Sequence, residues 1–253
     1  MKRSAVLFML AVAGLAIPVD APARGSGGAS PDPIAAAVAD KTRSEADRAL
    51  DEGRKPAQIL AFAAFKPGQV IADWGGGYYS AMLADVVGPK GRVYAVVNGS
   101  RWKADEWEPA LKAHPALRVL AVPPLAQALA PASLDAIFAN FEYHDLYWES
   151  EKYDYPHREV PRVLANWFAA LKPGGSVIII DHAGPAGDPR VVAGQLHRID
   201  PARVRADMAQ AGFVFDGESA VLARSDDPHT LPIFDASVRG KTDRFVLKFR
   251  RPL

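Results

Sequence analysis

The residues able to do chemistry in this chain fall in a few short clusters. The richest is Asn140-Phe141-Glu142-Tyr143-His144-Asp145, an amide, two further carboxylates, a phenol and an imidazole in one run. His144 or Glu142 could act as a general base toward a hydroxyl or an amine, with Tyr143 lining a pocket and Asp145 orienting the imidazole. On residue type alone, His144 could equally be a structural histidine hydrogen-bonded near a strand end. A second cluster is Asp73-Trp74-Gly75-Gly76-Gly77. Consecutive glycines let the backbone turn sharply and approach a ligand closely. A helix starting near Tyr79 would aim its free N–H groups at the same place. That suits a nucleotide-derived cofactor, although glycine is common at any strand–helix turn.

Other clusters narrow the choice. A nicotinamide site calls for G-x-G-x-x-G and an acid at the end of the second strand. Here the glycines are consecutive and the strand ends Val97-Asn98, which disfavours hydride transfer. Asn98 can still hydrogen-bond a ribose, without charge. Asp181-His182, taken with His144 and His197, offers no ligand pair at helix-face or zinc-type spacing, so no metal is expected. A strand-end acid capping the turn through Gly184-Pro185 accounts for Asp181. The aromatic set Tyr143, Tyr147, Trp148, Tyr153, Tyr155, Trp102, Trp107 and Trp167 reads mainly as core or lid packing. Segment 145–156 is long for a connection and reads as a substrate lid.

These clusters need strands to carry them. The hydrophobic pattern predicts strands at 70–73, 93–97, 118–122, 134–139, 176–180, 213–215 and 244–249. Helices are predicted at 34–50, 56–65, 79–87, 102–113, 158–171 and 201–211. Such alternation argues for an α/β fold, a mostly parallel sheet with helices on both faces. Ligands then lie beyond the carboxyl ends of the strands, which is where residues 73–79, 98–100, 140–145 and 181–183 fall.

Several runs carry a family resemblance. Lys66-Pro67-Gly68-Gln69-Val70-Ile71-Ala72-Asp73 with the following glycines, Gly88-Pro89-Lys90-Gly91 before Val93-Tyr94-Ala95-Val96, Leu134-Asp135-Ala136-Ile137-Phe138, and Ala170-Leu171-Lys172-Pro173-Gly174-Gly175 stand in one order. Together they resemble the class I S-adenosylmethionine-dependent methyltransferases over about residues 45–250. More narrowly, Arg54-Lys55-Pro56, Trp74-Gly75-Gly76-Gly77-Tyr78-Tyr79-Ser80, Asp181-His182 and the ending Asp243-Arg244-Phe245-Val246-Leu247-Lys248-Phe249 resemble an exported bacterial group of predicted methyltransferases.

The resemblance implies a Rossmann-like seven-stranded sheet of order 3-2-1-4-5-7-6 with the last strand antiparallel. It also implies S-adenosyl-L-methionine as cofactor, held by Asp73, Gly75, Gly76, Gly77, Tyr78, Asn98 and Asn140. Residues 140–145 would lie beside the transferred methyl group, with His144, Tyr143 and Glu142 as catalytic candidates and an unidentified, small-molecule acceptor. The glycine loop is about two residues shorter than the family pattern, and Asn98 replaces the usual acid.

Composition and location complete the reading. The 253 residues hold 30 Lys+Arg against 29 Asp+Glu and no cysteine. The balance gives no bulk-charge case for nucleic-acid binding. The missing cysteine excludes disulfides, Cys-ligated zinc, iron–sulfur clusters, thiol nucleophiles and a lipidated N-terminal Cys. Lys2-Arg3, an apolar run from 5 to 17 and Ala21-Pro22-Ala23 predict a secretory signal peptide over 1–23, then a flexible leader over 24–33 and a domain over 34–253. Cleavage after Ala23 removes Lys2, Arg3 and Asp20, leaving 28 basic and 28 acidic residues. The expected product is periplasmic or secreted, with no stable membrane anchor. Because S-adenosylmethionine is a cytosolic cofactor, the alternative is an exported, non-catalytic ligand-binding protein on the same fold.

Overall fold

A computed structural model describes residues 32–253 except Pro124, Gln127 and Ala128. The expected signal peptide and residues 24–31 of the leader lie outside the described residues. At the leader's end, Asp32 caps the first helix by accepting from the Ile34 N–H at 3.0 Å, and Pro33 is that helix's first residue.

Seven strands form one sheet: β1 (Val70–Trp74), β2 (Arg92–Asn98), β3 (Leu117–Val122), β4 (Leu134–Asn140), β5 (Leu171–His182), β6 (Val214–Ser219) and β7 (Arg244–Arg250). Their order is β3-β2-β1-β4-β5-β7-β6, as expected. The pairs from β3 to β5 are parallel, while β7 runs antiparallel to both β5 and β6. Leu134 pairs with Leu171 but Ala136 pairs with Ser176, so Lys172-Pro173-Gly174-Gly175 bulges from the ladder at the start of β5.

The central strands are buried on both faces, which explains their continuous apolar runs. Alternate residues feed two cores. Ala72, Ile137, Ala139, Val177 and Ile179 face one, packed under α7 (Val160–Ala170) and α9 (Pro201–Gln210). Ile71, Ala136, Phe138, Ile178 and Ile180 face the other, under α4 (Pro56–Ala63) and α5 (Ser80–Val87). That alternation leaves the strands' carboxyl ends as one rim open to ligands.

Two helical expectations are corrected. The helix predicted over 34–50 is broken into α1 (Pro33–Val38) and α2 (Glu45–Ala49), followed by α3 (Asp51–Arg54). Asp40 takes the Thr42 N–H in a tight turn, and Ser44 restarts the chain by capping Asp47 N. The sequence reading also missed α8 (Pro189–Leu196), which is capped by Asp188 and opens on proline. The remaining helix, α6 (Ala104–Ala113), covers the β3 edge. Among the described residues, no helix is long and apolar enough to cross a membrane.

Candidate active site

Strand β1 ends on Asp73 and Trp74, and the chain then turns through three glycines with φ of 97°, 64° and 116°. Residues with side chains rarely adopt these angles. Asp73 sits beneath the turn, fully enclosed. It accepts from Ser80 Oγ at 2.5 Å, and that hydroxyl in turn accepts from the Gly77 N–H at 2.9 Å. Burial pushes the Asp73 carboxyl up to about 7, against the pull of Ser80. Asp73 therefore braces the glycine turn from below.

Above the turn lies a cavity of about 260 Å³ at the ends of β1, β2 and β4. Trp74, Gly75, Val96, Asn98, Trp107 and Glu142 are among its lining residues, with Trp102, Tyr155 and Arg158 closing other sides. Its volume is just under the usual range for small-molecule sites, roughly 300–1,000 Å³. Glu142 leans directly over Gly75, where an added Cβ would stand 2.2 Å from Glu142 Cγ. At Gly76, an added Cβ would meet Val97 Cγ1 at 2.8 Å and the Trp107 ring at 3.0 Å. Bare backbone at both positions is thus a packing requirement. Burial pushes the Glu142 carboxyl up to about 8, with Asp145 and Asp181 adding to the effect and His144 opposing it.

Next to this cavity is a charge cluster built on β4 and β5. Asp181, at the end of β5, accepts from the His144 backbone N–H at 2.8 Å, from His144 Nδ1 at 2.8 Å and from the His182 N–H at 2.7 Å. His144 Nε2 lies 3.2 Å from Asp145 Oδ1. Burial favours the neutral imidazole, but the Asp181, Asp145 and Glu142 carboxylates outweigh it and raise His144 to about 9. Asp181 is held low, because its contacts with His144 outweigh burial. The neighbouring imidazoles behave oppositely. Burial lowers His182 to about 3 and His197 to about 4, and the His144 cation adds to both. His144 is thus an imidazolium at neutral pH with a carboxylate at each ring nitrogen, which is the wrong state for a general base.

The structure brings some of the predicted residues together and separates others. Gly75, Asn98 and Glu142 line the cavity. Tyr143 does not: it is fully buried against Trp167, and its hydroxyl donates to Asp207 at 3.1 Å. Beyond the end of β4 the chain turns at Phe141, and Tyr143 enters the α7 core, which corrects its assignment as a pocket residue. Tyr78 also points away. Its hydroxyl donates to Asp51, and the Arg54 guanidinium lies 4.4 Å from its ring. Asn140 ends β4 in register with Ile180 and is outside the cavity lining, as are Asp73, Gly76, Gly77 and His144. Asn98 lines the cavity with its amide already engaged. It accepts from Ser100 N at 3.0 Å and Ser100 Oγ at 2.9 Å, and donates to the Asp154 carbonyl at 3.3 Å.

That last bond ties segment 145–156 to the β2 end, so the expected lid forms a cavity wall through Tyr155. Sequence reasoning missed Trp74 and Arg158 as lining residues. The available signal for Trp74 was its place between the strand-end acid and the glycines.

No family model matches the sequence, and no curated protein matches it. Among solved structures, the chain is similar to a SAM-dependent methyltransferase from Aquifex aeolicus, at 21% identity and TM-score 0.53, over 87% of this chain and 98% of that one. It is also similar to Burkholderia thailandensis 1,6-didemethyltoxoflavin-N1-methyltransferase with bound 1,6-didemethyltoxoflavin and S-adenosylhomocysteine, at 17% and TM-score 0.50, over 84% and 80% of the two chains. A third is Aeropyrum pernix fibrillarin with natively bound S-adenosyl-L-methionine, at 15% and TM-score 0.51, over 79% and 76%. Likeness at these identities is a likeness of fold, and the chain has the Rossmann-like class I methyltransferase fold.

Proposed function

We propose that the chain is an S-adenosyl-L-methionine-dependent methyltransferase with a small-molecule acceptor, and that the cavity above Gly75 holds the cofactor. The observation that carries this reading is the lining of that cavity. Trp74, Trp107, Val96 and Val97 offer flat and apolar walls suited to an adenine. Gly75 offers bare backbone, and the Glu142 carboxyl supplies negative charge opposite the ligand's sulfonium and ammonium. Bound there, the cofactor would supply an activated methyl group for in-line displacement at carbon. Similar folds holding S-adenosyl-L-methionine or S-adenosylhomocysteine support the reading, as does the small-molecule complex of the Burkholderia enzyme.

The roles within the site follow from charge. Glu142 faces the cavity and is the residue able to take a proton or balance a cation there. His144, held as imidazolium, pins Asp181 and Asp145 and lowers the cost of a negative charge on Glu142. It acts as a positioning residue. Tyr143 serves the core.

Calorimetric titration with S-adenosyl-L-methionine and S-adenosylhomocysteine tests the proposal. Saturable binding of either is expected, weakened by Gly75→Ala. No heat at millimolar ligand overturns it. One observation favours the non-catalytic ligand-binding alternative: the Asn98 amide is occupied by Ser100 and Asp154, so the strand-two end presents no acid to a ribose. Cofactor binding would overturn that alternative in the form of a site that has lost S-adenosyl-L-methionine. Export rests on Lys2-Arg3, the apolar run after it and Ala21-Pro22-Ala23. Fractionation of cells expressing the full chain checks it, and a cytosolic, uncleaved product overturns it.

A further inference from the structure

Several arginines of this molecule are paired with a carboxylate. Arg43 pairs with Asp51, Arg190 with Glu149, Arg198 with Asp227 and Arg203 with Asp207. Four others are gathered in one place without such a pair. Among the described residues, Arg54, Arg224, Arg239 and Arg244 make no ion pair, and all four line a second cavity, of about 610 Å³, at the ends of β4 and β5. Lys241 adds a further cation, and Glu52 is the one acidic side chain in the lining.

The centre of this cavity is built with some care. Arg244 is buried, and three of its five N–H groups donate to neutral acceptors: Thr242 Oγ1 at 3.2 Å, the Gly53 carbonyl at 2.9 Å and the Gly240 carbonyl at 3.0 Å. Burial and the nearby charges of Arg54 and Arg224 lower it to about 10, the mark of a cation with no anion beside it. Phe141 stands between the two charged walls. Its ring centroid is 5.5 Å from the Arg54 guanidinium and 5.1 Å from that of Arg244, and it stacks on His182 at 4.4 Å. Phe141 also has a φ of 59°, unusual for a bulky residue. Across that kink Phe141 faces the basic cavity while Glu142 faces the proposed cofactor cavity.

The outer wall comes from residues 220–243, the connection between β6 and β7. The fully buried Arg198–Asp227 pair clamps that connection, with Arg198 also donating to the Leu231 and Ala183 carbonyls at 2.9 Å each. This clamp holds Arg224 and the largely exposed Phe234 over the opening.

We infer that this second cavity binds a small anionic molecule, its carboxylate or phosphate held by Arg54, Arg224 and Arg244 and its body lying against Phe141 and Phe234. The buried Arg244 guanidinium, with the half-buried Arg54 and Arg224 beside it and no ion pair of its own, is costly to hold unless an anion completes it, and arginine forks suit carboxylate and phosphate geometry. Resting on the methyltransferase reading, we assign the bound anion as the methyl acceptor, because Phe141 of this cavity and Glu142 of the proposed cofactor cavity are neighbours in the chain.

The test is calorimetry with phenyl phosphate, benzoate and the neutral benzyl alcohol, in the absence of S-adenosyl-L-methionine. Phenyl phosphate or benzoate should bind saturably, about tenfold or more tighter than benzyl alcohol, as expected for a charge-assisted contact. Whichever of the two anions binds tighter assigns the group as phosphate or carboxylate. Arg224→Gln and Arg54→Gln should each weaken anion binding about tenfold with an unchanged melting temperature. Arg244→Gln is avoided, because Arg244 holds two backbone carbonyls. Equal binding of benzyl alcohol, no anion binding at millimolar concentration, or full affinity in both variants overturns the inference. A chain that binds S-adenosyl-L-methionine but neither anion refutes this inference alone. One that binds an anion but not the cofactor refutes the proposed function, and with it the anion's role as methyl acceptor, while the anion site stands.

Discussion

Protonation of Glu142 should report directly on cofactor binding. The carboxyl lines the first cavity beside Gly75, and burial places it at about 8. At pH 7.4 a carboxyl with that value is about 80% protonated. A unit positive charge about 5 Å away gains about 3 kcal/mol at an effective dielectric constant of 20. That equals roughly two pKa units, so the bound complex should hold Glu142 near 6 and almost fully ionised. Binding near pH 7.4 should then release protons from this residue, since burial raises its carboxyl and a bound cation lowers it again. The assay is calorimetry in phosphate and in Tris, where the slope of observed enthalpy against buffer ionisation enthalpy counts protons. The ligand's own ammonium also titrates, so the quantity to read is the difference between wild type and Glu142→Gln. S-adenosylhomocysteine, which lacks the sulfonium charge, should show a smaller difference. Equal slopes in wild type and Glu142→Gln, with the cofactor bound in both, would refute the reasoning.

Other perturbations follow from the same geometry. Gly75→Ala places a Cβ 2.2 Å from Glu142 Cγ at a φ of 97°, so it should weaken cofactor binding about tenfold or more, and its effect should be smaller in a Glu142→Ala background, a non-additivity read by a double-mutant cycle. His144 has a folded pKa of about 9 against an ordinary 6.5, so its contribution is complete below pH 6.5 and lost as pH rises through 9. His144→Gln should flatten urea stability across that window and cost about 3–5 kcal/mol at pH 6, because Asp181 is left buried without its cation. Arg198→Ala should likewise cost about 3–5 kcal/mol in urea unfolding by stranding the buried Asp227 carboxylate. It should also loosen residues 220–243, seen as faster amide exchange there.

The core of the fold was legible because each central strand carries an uninterrupted apolar run and each following turn a Gly or Pro signal. Val177 to Ile180 alternate between two cores, so a strand covered on both faces buries all four consecutive aliphatic residues. The elements misread are short and polar. The break in 34–50 depends on Asp40 and Ser44 hydrogen-bonding their own backbone, a local competition that helix propensity does not record. Helix α8 begins on an Asp-Pro pair that reads equally as a turn.

For the site, residue types and spacing alone identified the rim: the glycine turn, Asn98, Glu142 and the Asp181-His182 pair all sit at strand ends. Periodicity is enough for this, since a strand's end is a one-dimensional property. Which side chains share a cavity is not. Tyr143 and Glu142 are adjacent in sequence, yet one enters the α7 core and the other the proposed cofactor cavity, because the chain has left β4 and turned at Phe141, where no strand period applies. The charge state of His144 was equally hidden, since it depends on Asp181, which arrives from the next strand. The basic cavity gathers Arg54, Arg224 and Arg244 from three distant segments. Only tertiary packing makes them neighbours around one cavity.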